Sequence, residues 1–302
     1  MSSGGRRRDP KVIWVFLAPA ISFYAFFFLY PTFEAFRISL YSWSGFGFDT
    51  AVYVGLANFT KALRDKWLLL AFTNNLLIMI VGGALLFSAA LFFAVALTNR
   101  RIKGRTFFKT VIFLPHIINP IGVALLWVFI LQPRFGMLNV LLRSVGLEDF
   151  TQVWLGSRGL AMACIIFIIV WYVIGFYMVL LIAGVEGIPG DLYAAARVDG
   201  ANEWQVFWRI TFPLLRDVLV IGMIYWMISA LKIFGEVWAL TRGQPANSTH
   251  TITTYMMQQA LPYQSTVFHM GYGTAIAVLL FGLVFCVSLL FFRLSRKEAL
   301  EY

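Results

Sequence analysis

Four residues in one charge-poor stretch of this chain share a helical stripe. Tyr225, Ser229, Lys232 and Glu236 are spaced four, three and four, which puts them on one face of a helix. A phenol, a hydroxyl, an ammonium and a carboxylate on an apolar helix are costly in lipid, so the stripe should face protein or water. An earlier apolar stretch supplies Trp171, Tyr172, Phe176 and Tyr177. Sugars combine apolar C–H faces with many hydroxyls, and aromatic surfaces with dispersed hydrogen-bonding groups suit them. The other reading of the same residues is helix packing, with Lys232 and Glu236 as an i,i+4 pair. On a continuous helix from Leu214 they fall roughly 27 and 33 Å along, near the outer end.

Other chemistry finds little support. No Lys follows a Gly, so a Gly-x4-Gly-Lys phosphate loop is absent and the chain does not cradle a nucleotide by that device. His116, His250 and His269 are scattered without metal-ligand spacing. The two cysteines, Cys164 and Cys286, sit in apolar runs, which argues against a structural disulfide or a Cys-based zinc site. Nothing places a Ser, a His and an Asp together. No catalytic, cofactor or metal residue is assigned, and an enzyme acting alone is disfavoured.

The elements that position these residues follow from composition. Of 302 residues, 60% are apolar and 13% charged, whereas soluble domains are nearer a quarter charged. The solvent for most of the chain is therefore lipid, and the expected fold is all-α with six transmembrane helices, since long apolar runs in lipid must satisfy their backbone internally. The expected spans are Val12–Phe33, Leu70–Leu97, Thr110–Pro133, Leu160–Gly184, Leu214–Leu240 and Gly273–Phe292. The run from Val12 resembles a signal peptide, but it is long enough to span and lacks a clear cleavage site, so it reads as a retained first span. The chain divides into a basic N-terminus, 1–11, a membrane domain, 12–292, and a C-terminal tail, 293–302. Fifteen Lys and Arg fall on the side of the termini and eight on the other, so both termini are expected in the cytoplasm. The net charge of +10 follows from that bias. The basic residues sit beside spans and build no groove for nucleic acid.

The segment of about 185–213 is the most informative. Pro189 and Gly190 should end the fourth span. Asp191 caps or opens a new helix, where a negative charge suits the dipole. Leu192–Asp199 should be that helix, with Ala194, Ala195 and Ala196 at its middle and Gly200 as its stop. Asn202 should cap a second short helix. Trp204, Phe207, Trp208 and Ile210 should lie at the membrane surface, and Pro213 should open span five.

An alanine-faced helix between glycines is a small knob able to enter a cleft closely. Ala195-Ala196, three residues, Gly200, nine residues, Ile210, two residues and Pro213 resemble the Glu-Ala-Ala loop of bacterial binding-protein-dependent ABC-importer permeases. The stretch from Leu192 to Ala201 is similar to the carbohydrate-uptake branch, of maltose and glycerol-phosphate type. So are Phe113-Leu-Pro-His116, the run Gln132–Asn139, and Leu240-Thr-Arg-Gly-Gln-Pro245 with Thr249. The likeness covers nearly the whole chain and points to the first, MalF-like membrane subunit. Ala194 stands where the family's Glu usually stands, Phe212 replaces a Leu, and Gln244 a Gly. That Glu is expected to pair with a basic residue of the ATPase. Asp191 or Asp199 could take the role, or the partner permease could carry the stronger contact.

The resemblance implies a transport subunit of the cytoplasmic membrane. Its coupling residues would be Asp191, Ala194, Ala195, Ala196, Arg197, Asp199, Gly200, Ile210 and Pro213. Trp171, Tyr172, Phe176, Tyr225, Ser229, Lys232 and Glu236 would line its sugar path. Implied partners are a second, MalG-like permease, two ATP-binding cassette subunits holding ATP and Mg, and an external solute-binding protein. A glycerol-phosphate-like or other non-sugar solute stays open. An ion-coupled secondary transporter is disfavoured, because spans one to four and six lack Asp, Glu, Lys and Arg.

Overall fold

The computed structural model describes residues 10–98, 102–261 and 267–296. The expected basic start around Arg6–Arg8, the loop residues Arg100 and Arg101, and the end of the C-terminal tail lie outside the described residues. Within them the chain is mostly helical, with one short hairpin. The elements are α1 (Pro10–Tyr24), α2 (Tyr30–Ile38), β1 (Tyr41–Ser42), β2 (Val52–Tyr53), α3 (Ala57–Arg64), α4 (Lys66–Leu77), α5 (Gly83–Thr98), α6 (Arg105–Ile117), α7 (Pro120–Ile130), α8 (Met137–Ser144), α9 (Arg158–Glu186), α10 (Gly190–Val198), α11 (Glu203–Val206), α12 (Phe212–Leu214), α13 (Arg216–Leu231), α14 (Gly235–Thr241), α15 (Ile252–Ala260) and α16 (Met270–Arg296). Turns of π-helix, Ala25–Leu29, Ile78–Gly82 and Phe207–Thr211, join α1 to α2, α4 to α5, and α11 to α12.

Four helices are long and apolar enough to cross a membrane: Trp14–Ile38, Lys66–Thr98, Arg158–Glu186 and Met270–Phe291. Two bent pairs, Arg105–Ile117 with Pro120–Ile130 and Glu203–Leu214 with Arg216–Leu231, bring the number to six if each pair is one span. The protein is a multi-pass membrane protein. The first, second, fourth and sixth expected spans each coincide with one of the long helices. The sixth, as α16, continues to Arg296, beyond the expected limit at Phe292.

Two spans depart from the expectation of straight helices. The third bends by 97° between α6 and α7. Asn119, which precedes Pro120, is pushed out of the helical region to φ −57°, ψ 130°. Its side-chain oxygen accepts the Ile121 amide at 2.9 Å, and Pro120 occupies the first turn of α7, where no amide is needed. The fifth bends by 63° between Leu214 and Arg216, so Pro213 lies in the short helix before the bend and does not open α13. It stops at Leu231, and the chain turns before α14.

One compact unit takes the chain up to Arg64 together with Met256–Phe281. The β1–β2 hairpin pairs Tyr41 with Tyr53, and the Asn58 amide donates to the Ser39 and Tyr41 carbonyls, both at 2.9 Å. The second unit takes Asp65–Tyr255 and the chain from Gly282. Its core runs along α9, where Ile165, Ile168, Ile169, Met178 and Leu181 are buried. On α5, Leu86, Ala90, Ala94 and Leu97 make a buried stripe against it. In lipid, helix association rests on close packing and hydrogen bonds, which favours small residues at the seam. Gly175 shows how close the approach is. A Cβ there would lie 2.5 Å from the Ile112 carbonyl oxygen and the Phe113 Cα of α6.

Candidate functional site

The residues of the sequence stripe meet around a cavity of about 400 Å³ in the second unit. Phe176, Tyr177, Tyr225, Ser229, Lys232 and Glu236 line it, together with His116, Ile233, Phe234 and Gly235. They do so for a different reason from the one the spacing suggested. No continuous helix carries the four polar residues. Lys232 caps α13, its amide reaching the Ile228 and Ser229 carbonyls at 3.3 and 3.2 Å, and Glu236 sits in the first turn of α14. The break brings the two charged residues around the cavity from separate helices. Among the described residues no ion pair joins Lys232 to Glu236, so the i,i+4 pairing is not formed. Gly235, at the start of α14, packs closely: a Cβ there would come 3.3 Å from the Ile121 side chain.

Aromatic rings make much of the wall. Phe176 lies 5.5 Å from Tyr225, 5.2 Å from Tyr177 and 5.3 Å from the His116 ring, centroid to centroid. Two polar atoms here are buried without a hydrogen-bond partner among the described residues, the Tyr177 hydroxyl and His116 Nδ1. Buried polar atoms are rarely left so unless water or a ligand completes them. His116 was legible only as the end of the Phe113–His116 run, and its histidine chemistry gave no signal.

Trp171 and Tyr172, expected on the path, do not line this cavity. Trp171 packs edge-on against Trp127 at 5.5 Å. Tyr172 is buried and donates its hydroxyl to the Ile118 carbonyl at 3.2 Å. That carbonyl sits at the α6–α7 bend, so Tyr172 serves the bend. Their neighbours Phe176 and Tyr177 stand one turn further along α9.

The second candidate region is the segment after α9. Helix α10 spans Gly190–Val198, one or two residues earlier than expected at each end, with Asp191 in its first turn. Asp199 is its C-cap, and Gly200 follows at φ +77°. The Ala201 amide returns to the Ala196 carbonyl at 2.9 Å and the Gly200 amide to the Arg197 carbonyl at 3.1 Å, which closes the helix end as a left-handed glycine allows. Asn202 and Gln205 form a capping box for α11. One face of α10 is anchored by the Tyr193 hydroxyl, which lies 3.3 Å from that of Thr211. Its other face is open. Ala194, Ala195, Arg197 and Asp199 are exposed, and Val198 is 87% exposed. Ala196 and Ile210 are half-buried, and Pro213 is exposed. Trp204, Phe207, Trp208 and Phe212 form an aromatic cluster, with Trp208 5.1 Å from Phe212 and 5.6 Å from Trp204.

Comparisons with known proteins bear on the family and the fold. A family model described as "binding-protein-dependent transport system inner membrane component" matches residues 87–299. The probable ABC transporter permease protein YurN of Bacillus subtilis is 33% identical, over 95% of this chain and 98% of its own. The diacetylchitobiose uptake system permease protein NgcF of Streptomyces coelicolor is 35% identical, over 97% and 86%. In fold, the chain matches one from a bacterial ABC transporter involved in the import of the acidic polysaccharide alginate. The TM-score is 0.82, with 22% identity, over 96% of each chain.

Proposed function

We propose, from the premise that this chain belongs to the family of binding-protein-dependent transport system inner membrane components, that it is a membrane-spanning permease subunit of an ATP-driven importer for a carbohydrate or related polyol. The observation that carries this reading is α10, a short helix closed by the left-handed Gly200, with Ala194, Ala195 and Val198 uncovered on this chain. A surface of that shape suits a cleft in a nucleotide-hydrolysing partner. ATP and Mg would be held by two such partner subunits, and a second permease would complete the membrane pair. An external binding protein would deliver the solute. Both termini would face the cytoplasm, on the side of α10.

The carbohydrate class draws on two supports. One is the uptake of diacetylchitobiose named for the relative NgcF. The other is the cavity wall, where aromatic faces of Phe176 and Tyr225 stand beside Ser229, Lys232 and Glu236, a combination suited to C–H faces and hydroxyls. In this scheme closure of the ATPase pair moves α10, the bundle opens outward, and hydrolysis resets it. Asp191 or Asp199, at the two ends of the exposed helix, would supply the acidic contact that Ala194 does not, or the second permease would carry the stronger contact.

The test is uptake of a panel of radiolabelled mono- and disaccharides into cells expressing the chain with its neighbouring transport genes. Saturable uptake of a saccharide that stops on ATP depletion and survives collapse of the ion gradients is the expected result. Uptake that follows the ion gradients would overturn the ATP-driven reading, and a transporter that accepts only non-carbohydrate solutes would overturn the substrate class.

A further inference from the structure

The helix break that shapes the cavity leaves carbonyls without intrahelical partners, as every helix end does. In an apolar surrounding those groups must be satisfied by something else. The Asn75 side chain, fully buried on α4, donates to the Ala230 carbonyl at 2.7 Å and to the Leu231 carbonyl at 3.3 Å. Thr251 donates to the Ile233 carbonyl at 3.0 Å, and Thr253 donates to the same oxygen. The Asn75 oxygen meanwhile accepts the Ile252 amide at 2.8 Å, at the start of α15. One amide side chain thus ends α13 and begins α15. Its neighbour Asn74, also fully buried, donates to the Ser248 and His250 carbonyls at 2.8 and 2.9 Å and accepts from Arg158 at 3.1 Å.

We infer that Asn75 and Thr251 are positioning residues for the cavity: they hold the break that places Lys232 and Glu236 in its wall, and they fasten that break to residues 248–252. The cavity wall and the 248–252 loop then shift together. Neither residue lines the cavity, so each acts through the backbone it holds. Buried polar networks of this kind fix one geometry when every member is satisfied and fail when one is removed. Discontinuous membrane helices with irregular backbone at a cavity are where transporters build their sites, and here the irregular stretch has named side chains that hold it open.

The role bears on transport only if the cavity is the path; a thiol probe reads the cavity wall itself, so failure here is distinct from failure of saccharide uptake. Cys164 and Cys286 are replaced by Ala in the full chain, assembled with its partners in membranes. A reporter is placed at Ser229→Cys in the cavity, and a control at Leu141→Cys, exposed on α8 and outside the network. The rate of modification by 2-aminoethyl methanethiosulfonate is measured. Asn75→Ala should change the rate at position 229 at least fivefold and leave position 141 within twofold. Asn75→Asp keeps an acceptor for Ile252 but loses the amide donor, and should match Asn75→Ala. Thr251→Val should shift position 229 in the same way, and Thr251→Ser, which keeps the hydroxyl, should restore the parent rate. Unchanged reactivity at position 229, or equal changes at both positions, would overturn the inference. If Asn75→Ala fails to insert, the Thr251 pair decides: equal behaviour of Val and Ser overturns it, and rescue by Ser supports it.

Discussion

Trp226 donates its indole N–H to the Met79 carbonyl at 2.9 Å, from α13 to the π turn that joins α4 to α5. The same carbonyl accepts the Gly83 amide, and the indole lies so close that a Cβ at Gly83 would sit 2.7 Å from its nitrogen. The π turn and the indole are therefore matched in shape and in hydrogen bonding.

Trp226→Phe removes the donor and part of a buried ring together, and should cost roughly 2–3 kcal/mol, at ~2–4 °C in the thermal midpoint per kcal/mol for a chain of this size. Gly83→Ala should cost ~1–3 kcal/mol, because overpacking forces the ring to move. Thermal unfolding of the purified chain in detergent checks both. Equal midpoints for Gly83→Ala and the parent would show that the ring moves freely.

Gly200 holds φ +77°, a conformation that costs a side chain about 1–2 kcal/mol. Gly200→Val should disrupt the end of α10, and Ala196→Trp should lift the helix from any cleft. Both variants should insert normally yet lose co-purifying ATPase or uncouple its hydrolysis from uptake. Ala194→Glu should be tolerated and should tighten ATPase docking. Full transport with normal ATPase retention in both disruptive variants would sink the coupling role.

Ser229 lines the cavity between Tyr225 and the Lys232 cap. Ser229→Trp would fill much of a space of about 400 Å³. Uptake should fall at least tenfold while assembly with the partner subunits persists. Uptake at the parent rate would reassign the cavity to packing.

Six spans would put both ends of the chain on one side, and the charge bias would make that side the cytoplasm. Ser3→Cys and Ala299→Cys should resist an impermeant maleimide added to intact cells and react after permeabilisation. Labelling of both from outside would reverse the topology.

Much of this was legible because it is local. Charge-free runs marked the long helices, and Gly200 and Asn202 announced the two caps that the structure forms. Asn119-Pro120 carried the signal for the α6–α7 bend, but the apolar run on either side concealed it. The break after Leu231 had no such signal. The spacing of Tyr225, Ser229, Lys232 and Glu236 is what a continuous helix would show. The groups that hold the chain open come from Asn75 and the 251–253 segment, and Ile252 is separated from Asn75 by 177 positions. A hydrogen bond across that distance leaves no periodicity in the sequence. Trp171 and Tyr172 were expected on the path by residue type and by the resemblance; in the fold Trp171 packs on Trp127 and Tyr172 reaches the α6–α7 bend.

The π turn Ile78–Gly82 also fixes an angular phase. Successive residues of an α-helix are about 100° apart around its axis, and a π turn accommodates an extra residue without a gap in the helix. Deleting one residue there would let the turn rewind as α-helix and rotate one end against the other by about that angle. Asn75 and the Leu86–Ala90–Ala94 stripe could not then both meet their partners. Reading frame within this single helix is thus part of the design: the turn works as a phase coupler, and an insertion or deletion of one residue, harmless to hydrophobicity, would unseat the cavity wall from the α5–α9 seam.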